Sequence, residues 1–230
     1  MTTPNPPFAA SPPSSAQAGT PPSAPGIPSP QMTAPPEPVA LDVAILRQVN
    51  TASSKQVVLM KDGEVLKDGR GDPQAGDKFK IVFRSNCTCY VYVIAIDGSG
   101  WVQWLFPKKG DSAEMPVIKD REYNMPEGPY WFSLDQFRGV ETIYFVASLS
   151  RRLDLEESLA PFAGRERPAS MVPAKVEVPP IIPDGFGKTE VGQAVTVSSE
   201  SGQQQKFTPV TYVAKQLGED LRVTRWFKHE

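Results

Sequence analysis

From Leu41 onward the chain alternates short apolar runs with turn residues. Leu41, Val43 and Ile45 alternate with Asp42 and Ala44, and Val57 to Met60 forms a second run closed by Lys61-Asp62-Gly63. Residues 68 to 77 are rich in Gly and Asp and read as a loop. Phe79, Ile81 and Phe83 then alternate with Lys78, Lys80 and Arg84, the period of two expected of a half-buried strand. Tyr90 to Ile96 is continuously apolar, β-branched or aromatic, which suits a central strand covered on both faces. Asp97-Gly98-Ser99-Gly100 makes a hairpin turn, and the return strand Trp101 to Phe106 stops at Pro107.

Further strands are predicted at Glu122 to Met125, Tyr130 to Phe132, Glu141 to Leu149, Ala194 to Ser198, Phe207 to Ala214 and Leu221 to Phe227. One helix is predicted from about Asp154 to Leu159, with capping-box spacing between Asp154 and Glu157 and an end at Pro161 and Gly164. Pro173 to Pro183 reads as a surface connection within one domain, and no internal repeat is present. The expected fold is mainly β: a β-sandwich or open barrel of short antiparallel strands with one short helix, over residues 41 to 230.

Residues 1 to 40 have a different texture. They hold more than half of the 25 prolines, and Glu37 is their one charged side chain. Such a segment buries too little apolar surface to offset the entropy of ordering, so a disordered tail is expected. In polyproline II, at ~3.1 Å per residue, it would reach on the order of 100 Å. A spacer is the favoured reading, because its Pro-x-x-Pro matches lack flanking basic residues.

A net charge of -2 without a basic stripe argues against nucleic acid; Lys108-Lys109 and Arg151-Arg152 are isolated pairs. No apolar stretch approaches the ~20 residues of a membrane helix, and no secretory signal follows Met1. The expected location is cytoplasmic if Met1 is the true start, and periplasmic or envelope-associated if a leader precedes it.

The runs Lys61 to Leu66, Gly76 to Ile81, Cys89 to Ile94, Asp97 to Gly100 and Leu105-Phe106-Pro107 together resemble the bacterial domain-of-unknown-function 4384 family. A later strand is similar to it through Gly139, Glu141, Ile143, Tyr144, Ala147 and Ser148, with Val140 set between the first two, and the good match covers about residues 59 to 149. The ending Val223 to His229 is similar as well. Members occur on exported proteins and beside caspase-like peptidases and protein kinases. The resemblance therefore implies an accessory module rather than a reaction. It implies structural roles for Tyr90, Tyr92, Asp97, Gly100, Leu105, Phe106 and Pro107. Members usually carry a polar residue just after the turn, where this chain has Trp101.

Catalytic chemistry finds little footing. The one histidine, His229, stands one residue from the end, where chains fray, so a histidine-based triad is not expected. No nucleophile elbow, phosphate loop, dinucleotide fingerprint or zinc-protease motif is present, and no cofactor or metal is expected. Cys87 and Cys89 would share one side of an extended strand, where a disulfide is strained, and read as two packed thiols rather than a redox pair or half a zinc site. Arg70-Gly71-Asp72 in a turn-rich loop is weak evidence for adhesion, and Asp68, Asp72 and Asp77 lack the spacing of a calcium loop. The aromatics Trp101, Trp104, Tyr130, Trp131 and Trp226 leave the most room. Trp101 and Trp131 are the candidate partner-binding residues, Trp101 either as an exposed anchor or folded back over the sheet edge. The expected function is a non-catalytic module that binds protein partners, with the cell envelope as one setting. The alternatives are a carbohydrate- or cell-wall-binding module using surface tryptophans, and an enzyme whose cleft is built from distant carboxylates.

Overall fold

The computed structural model describes residues 37–50, 55–69, 75–108, 115–165, 186–198 and 204–230. The Pro-rich tail up to residue 36, the Arg70-Gly71-Asp72 tripeptide and the Pro173 to Pro183 connection lie outside the described residues. In chain order the strands are β1 (Ala40–Asn50), β2 (Lys55–Leu59), β3 (Val65–Leu66), β4 (Lys78–Ser85), β5 (Tyr90–Ile96), β6 (Val102–Phe106) and β7 (Glu122–Met125). They continue with β8 (Phe132–Ser133), β9 (Gly139–Ser148), β10 (Phe186–Val191), β11 (Val195–Ser198), β12 (Gln204–Phe207), β13 (Val210–Ala214) and β14 (Leu221–His229). One helix, α1 (Leu153–Leu159), runs into a 3-10 turn at Ala160–Phe162.

Two sheets face each other. The first is ordered β10-β13-β1-β4-β7, with β2 also paired to β1 and β8 to β4; the second is ordered β3-β14-β9-β5-β6. All pairs are antiparallel except β14 with β3. Between the sheets lies the main core, where Leu41, Val43, Ile45, Ile81 and Phe83 meet Val91, Val93, Ile143, Phe145 and Phe227. Phe83 is 6.5 Å from Phe145 and Phe79 is 5.1 Å from Phe227, centre to centre. Among the described residues β6 pairs with β5 and β7 with β4, and the two do not pair with each other. The molecule is therefore a sandwich with an open side and not a closed barrel.

Several local expectations are corrected. β4 is covered on both faces: the hairpin of β11 and β12 supplies Val195 and Val197, which pack with Ala44, Leu46 and Val82 on the outer side of the first sheet. The strand expected from Phe207 to Ala214 is two strands, interrupted at Thr208-Pro209, where proline removes a ladder donor. β3 and β10 had no recognised signal. Asp154 lies inside the first turn of α1 rather than capping it, and its carboxylate holds the Arg152 guanidinium. His229 does not fray; it pairs with Gly139 and Leu66 and is 2% exposed.

The motif residues of the β5–β6 hairpin have mechanical roles. Asp97 Oδ1 accepts hydrogen bonds from the backbone N–H of Ser99 (2.8 Å), the Ser99 hydroxyl (2.7 Å) and the backbone N–H of Trp101 (3.0 Å). Gly100 turns the chain at φ 79°. Tyr92 reaches from the outer face of β5 to α1, where its hydroxyl donates to Glu156 (2.8 Å) and accepts from the Arg152 backbone (3.0 Å). Gly98 lies against the start of β9, so that a Cβ placed on it would stand 2.5 Å from the Arg138 carbonyl oxygen and 2.6 Å from Gly139 Cα. Both neighbours are backbone and cannot swing aside. Gly98→Ala is expected to lower stability by about 1–3 kcal/mol in urea denaturation, as overpacking does; an unchanged midpoint would mean that the two backbones do not approach this closely.

Candidate functional site

The open side of the sandwich is a groove of about 530 Å³ between the edge strands β6 and β7. Its β6 wall carries Trp104, Leu105 and Phe106. A bulge in the β5–β6 register, between the pairs Val93–Phe106 and Ile94–Trp104, leaves Leu105 as the extra residue. Bulges re-aim side chains, and here Leu105 and Phe106 both pack against the main core. The Trp104 indole N–H is satisfied by the Phe106 carbonyl at 2.7 Å, so its ring is fixed at the rim.

The β7 wall alternates. Tyr123 and Met125 turn inward opposite Phe83 and Ile81. The Tyr123 ring stacks on Phe83 at 5.1 Å and 9° and meets the edge of Phe106 at 5.6 Å, so the floor is aromatic. Its hydroxyl accepts the Ile118 backbone N–H at 2.9 Å, which fixes the approach to β7. Charges of both signs rim the groove: Lys108 and Arg121 on one hand, Glu122 and Glu127 on the other. The Arg121 guanidinium lies 5.2 Å from the Tyr123 ring centre.

Lys80 anchors the turn that ends this wall. It is 1% exposed, and its ammonium donates to the carbonyls of Pro126 (2.7 Å) and Gly128 (2.9 Å), both residues of the groove lining. The Trp131 ring lies 5.7 Å away. Burial lowers the Lys80 pKa from 10.5 to about 8.

Both candidate tryptophans are buried. Trp101 is 6% exposed, because the turn after α1 packs against β6 and the Arg165 guanidinium stands 4.8 Å from the indole centre. Trp131 is 8% exposed, enclosed with Val57, Val82 and Val195 beneath the β11–β12 hairpin. Trp104 and Trp226 are half-buried. Cys87 and Cys89 do not lie on an extended strand; β4 ends at Ser85 and residues 86–88 form a bend.

β7 is legible in the sequence as the strand Glu122 to Met125, whereas neither Tyr123 nor Arg121 carries a motif that singles it out. The available signal was a four-residue strand closed by Pro126, since short strands and prolines mark sheet edges. His229 Nδ1 stands 3.4 Å from Glu141 Oε1, and burial raises the Glu141 pKa. The imidazole is closed to solvent and forms no open dyad. A smaller hollow of about 360 Å³ beneath α1 is walled in part by Ile94, Tyr144 and Leu155 and lacks flanking edge strands. Among the described residues no helix is long and apolar enough to cross a membrane, and no cluster of three metal-ligating side chains occurs.

Over residues 74–151 the chain matches the family model described as Domain of unknown function (DUF4384), which bears out the resemblance over that segment. The groove lining, Trp104 to Phe132, falls wholly within it. No curated protein and no solved structure matches the chain.

The pH dependence of stability tests the Lys80 anchor. Between about pH 8 and 10.5 the unfolded chain keeps the Lys80 proton that the folded chain releases, so this group makes stability rise with pH across that window. Lys80→Met is expected to flatten this part of the stability–pH curve relative to the parent; parallel curves would show that Lys80 is not desolvated.

Proposed function

We propose that this domain is a non-catalytic interaction module that binds an extended segment of a protein partner along the groove between β6 and β7. One observation carries the reading: an apolar, aromatic-floored groove is flanked by β6 and β7, neither of which, among the described residues, has a strand partner on its outer side. An edge strand offers unpaired N–H and C=O groups to an added strand, while pockets for alternate side chains supply selectivity. The shape fits a peptide whose apolar side chains point inward at every second position. The mixed charges of Lys108, Arg121, Glu122 and Glu127 favour a neutral or alternating-charge segment over a strongly acidic or basic one. The family resemblance supports an accessory role beside other domains, and with it a setting at the cell envelope.

Selection from a displayed library of random peptides, followed by calorimetry, tests this reading. The selected peptides are expected to alternate apolar and polar residues. Trp104→Ala should weaken them ~10-fold or more, as loss of an aromatic anchor does. Val191→Ser, exposed on β10 at the far edge of the first sheet, should leave binding unchanged. Peptides insensitive to Trp104→Ala, or a selection that enriches nothing, would refute the proposal.

A further inference from the structure

The connection between β4 and β5 gathers two thiols on one hydroxyl. Ser85 Oγ lies 3.1 Å from Cys89 Sγ and 3.6 Å from Cys87 Sγ, and accepts the Cys87 backbone N–H at 3.3 Å. The bend at residues 86–88 makes this possible, so that both sulfurs stand within 3.6 Å of one oxygen. The thiols differ in access. Cys89 is fully buried, held in a two-way backbone bridge with Val117 (3.2 and 2.8 Å), whereas Cys87 is half-exposed. The segment opposite brings Lys119, whose backbone N–H donates to Thr88 Oγ1 (3.3 Å), and Asp120, whose backbone N–H donates to the Ser85 carbonyl (2.8 Å).

We propose that Cys87 and Cys89 form a two-electron redox site that reacts with hydroperoxides, Cys87 as the attacking thiolate and Cys89 as the resolving thiol. In the first step Cys87 Sγ attacks a peroxide oxygen, the O–O bond breaks, and hydroxide or alkoxide leaves and takes a proton from water. Cys87 is then a sulfenic acid. In the second step Cys89 Sγ attacks Cys87 Sγ, the S–O bond breaks, and the hydroxyl departs as water with the Cys89 proton. The dithiol has lost two electrons and two protons, and the peroxide has become water and water or an alcohol.

The division of labour follows from access and charge. An oxidant reaches Cys87 and not Cys89. The neighbouring Cys89 thiol holds the Cys87 pKa down at about 6, with Ser85 and Lys119 adding to the effect against the opposing influence of burial. The same contact and burial raise the Cys89 pKa, so its proton stays until the second step. Reactivity follows thiolate content and exposure, which favours Cys87 on both grounds. Among the described residues no third metal-ligating side chain accompanies the pair.

The full chain has two cysteines, so intact-mass spectrometry reads the chemistry without ambiguity. The reduced protein treated with hydrogen peroxide is expected to lose two hydrogens as a monomer. Cys89→Ser should stop at a sulfenic acid trapped by a cyclic 1,3-dione, and Cys87→Ser should resist oxidation while folded. Independently of any variant, the rate of Cys87 alkylation in the parent should follow a single titration with a midpoint at about 6. A midpoint near the ordinary ~8.5 of a free thiol would overturn the proposal. So would oxidation that yields only intermolecular dimers or a sulfinic acid without the internal disulfide.

Discussion

Phe83 stands where the two sheets must be held together without help from the backbone. It lies parallel to Tyr123 at 5.1 Å and presents edges to Phe106 at 5.2 Å and Phe145 at 6.5 Å, so one side chain joins β4, β7, β6 and β9. Among the described residues β6 and β7 share no ladder, and these rings fill the space between them. Offset and edge-to-face aromatic pairs contribute ~0.5–1.5 kcal/mol each beyond the area they bury. The cluster thus permits an unpaired edge on either side of a groove whose floor is still packed. A closed barrel would remove the groove, and a loosely packed edge would remove its shape.

What could be read in the chain was local. Tyr90 to Ile96 announces a covered strand, and its central residues Val91 to Ile94 are buried. The Asp97 turn is encoded within four residues and forms as expected. What could not be read depends on distant segments. Lys80 looks like the solvent side of a half-buried strand until the turn at Pro126 to Gly128 and the Trp131 ring close over its ammonium, while the β11–β12 hairpin covers the neighbouring Val82. Trp101 after the turn reads either as an exposed anchor or as folded back over the sheet edge, and the segment beyond α1 decides it by folding over the ring. His229 looks like a fraying end until β3 and β9 enclose it. Periodicity reports which side a residue faces, and only the tertiary arrangement decides whether that side meets water.

The groove and the dithiol are separate sites joined by one strip of chain. Cys89 pairs with Val117, and the next residue, Ile118, donates its N–H to the Tyr123 hydroxyl on the groove floor. Both features lie within residues 74–151, the span that matches the family model. The parts outside that span have supporting roles. β1 and β13 extend the first sheet, β14 lies between β3 and β9 in the second, and the β11–β12 hairpin seals the outer core.

Amide hydrogen exchange read by mass spectrometry, with and without a selected peptide, tests the open edge most directly. A strand added in the groove predicts slowed exchange in Val102–Phe106 and Glu122–Met125, because amides that face solvent there acquire partners, with no change in Val65–Leu66 or Phe186–Val191 at the opposite edges. Protection confined to those opposite edges or to the hollow beneath α1, with β6 and β7 exchanging as in the free protein, would contradict the assignment of the groove as the binding site.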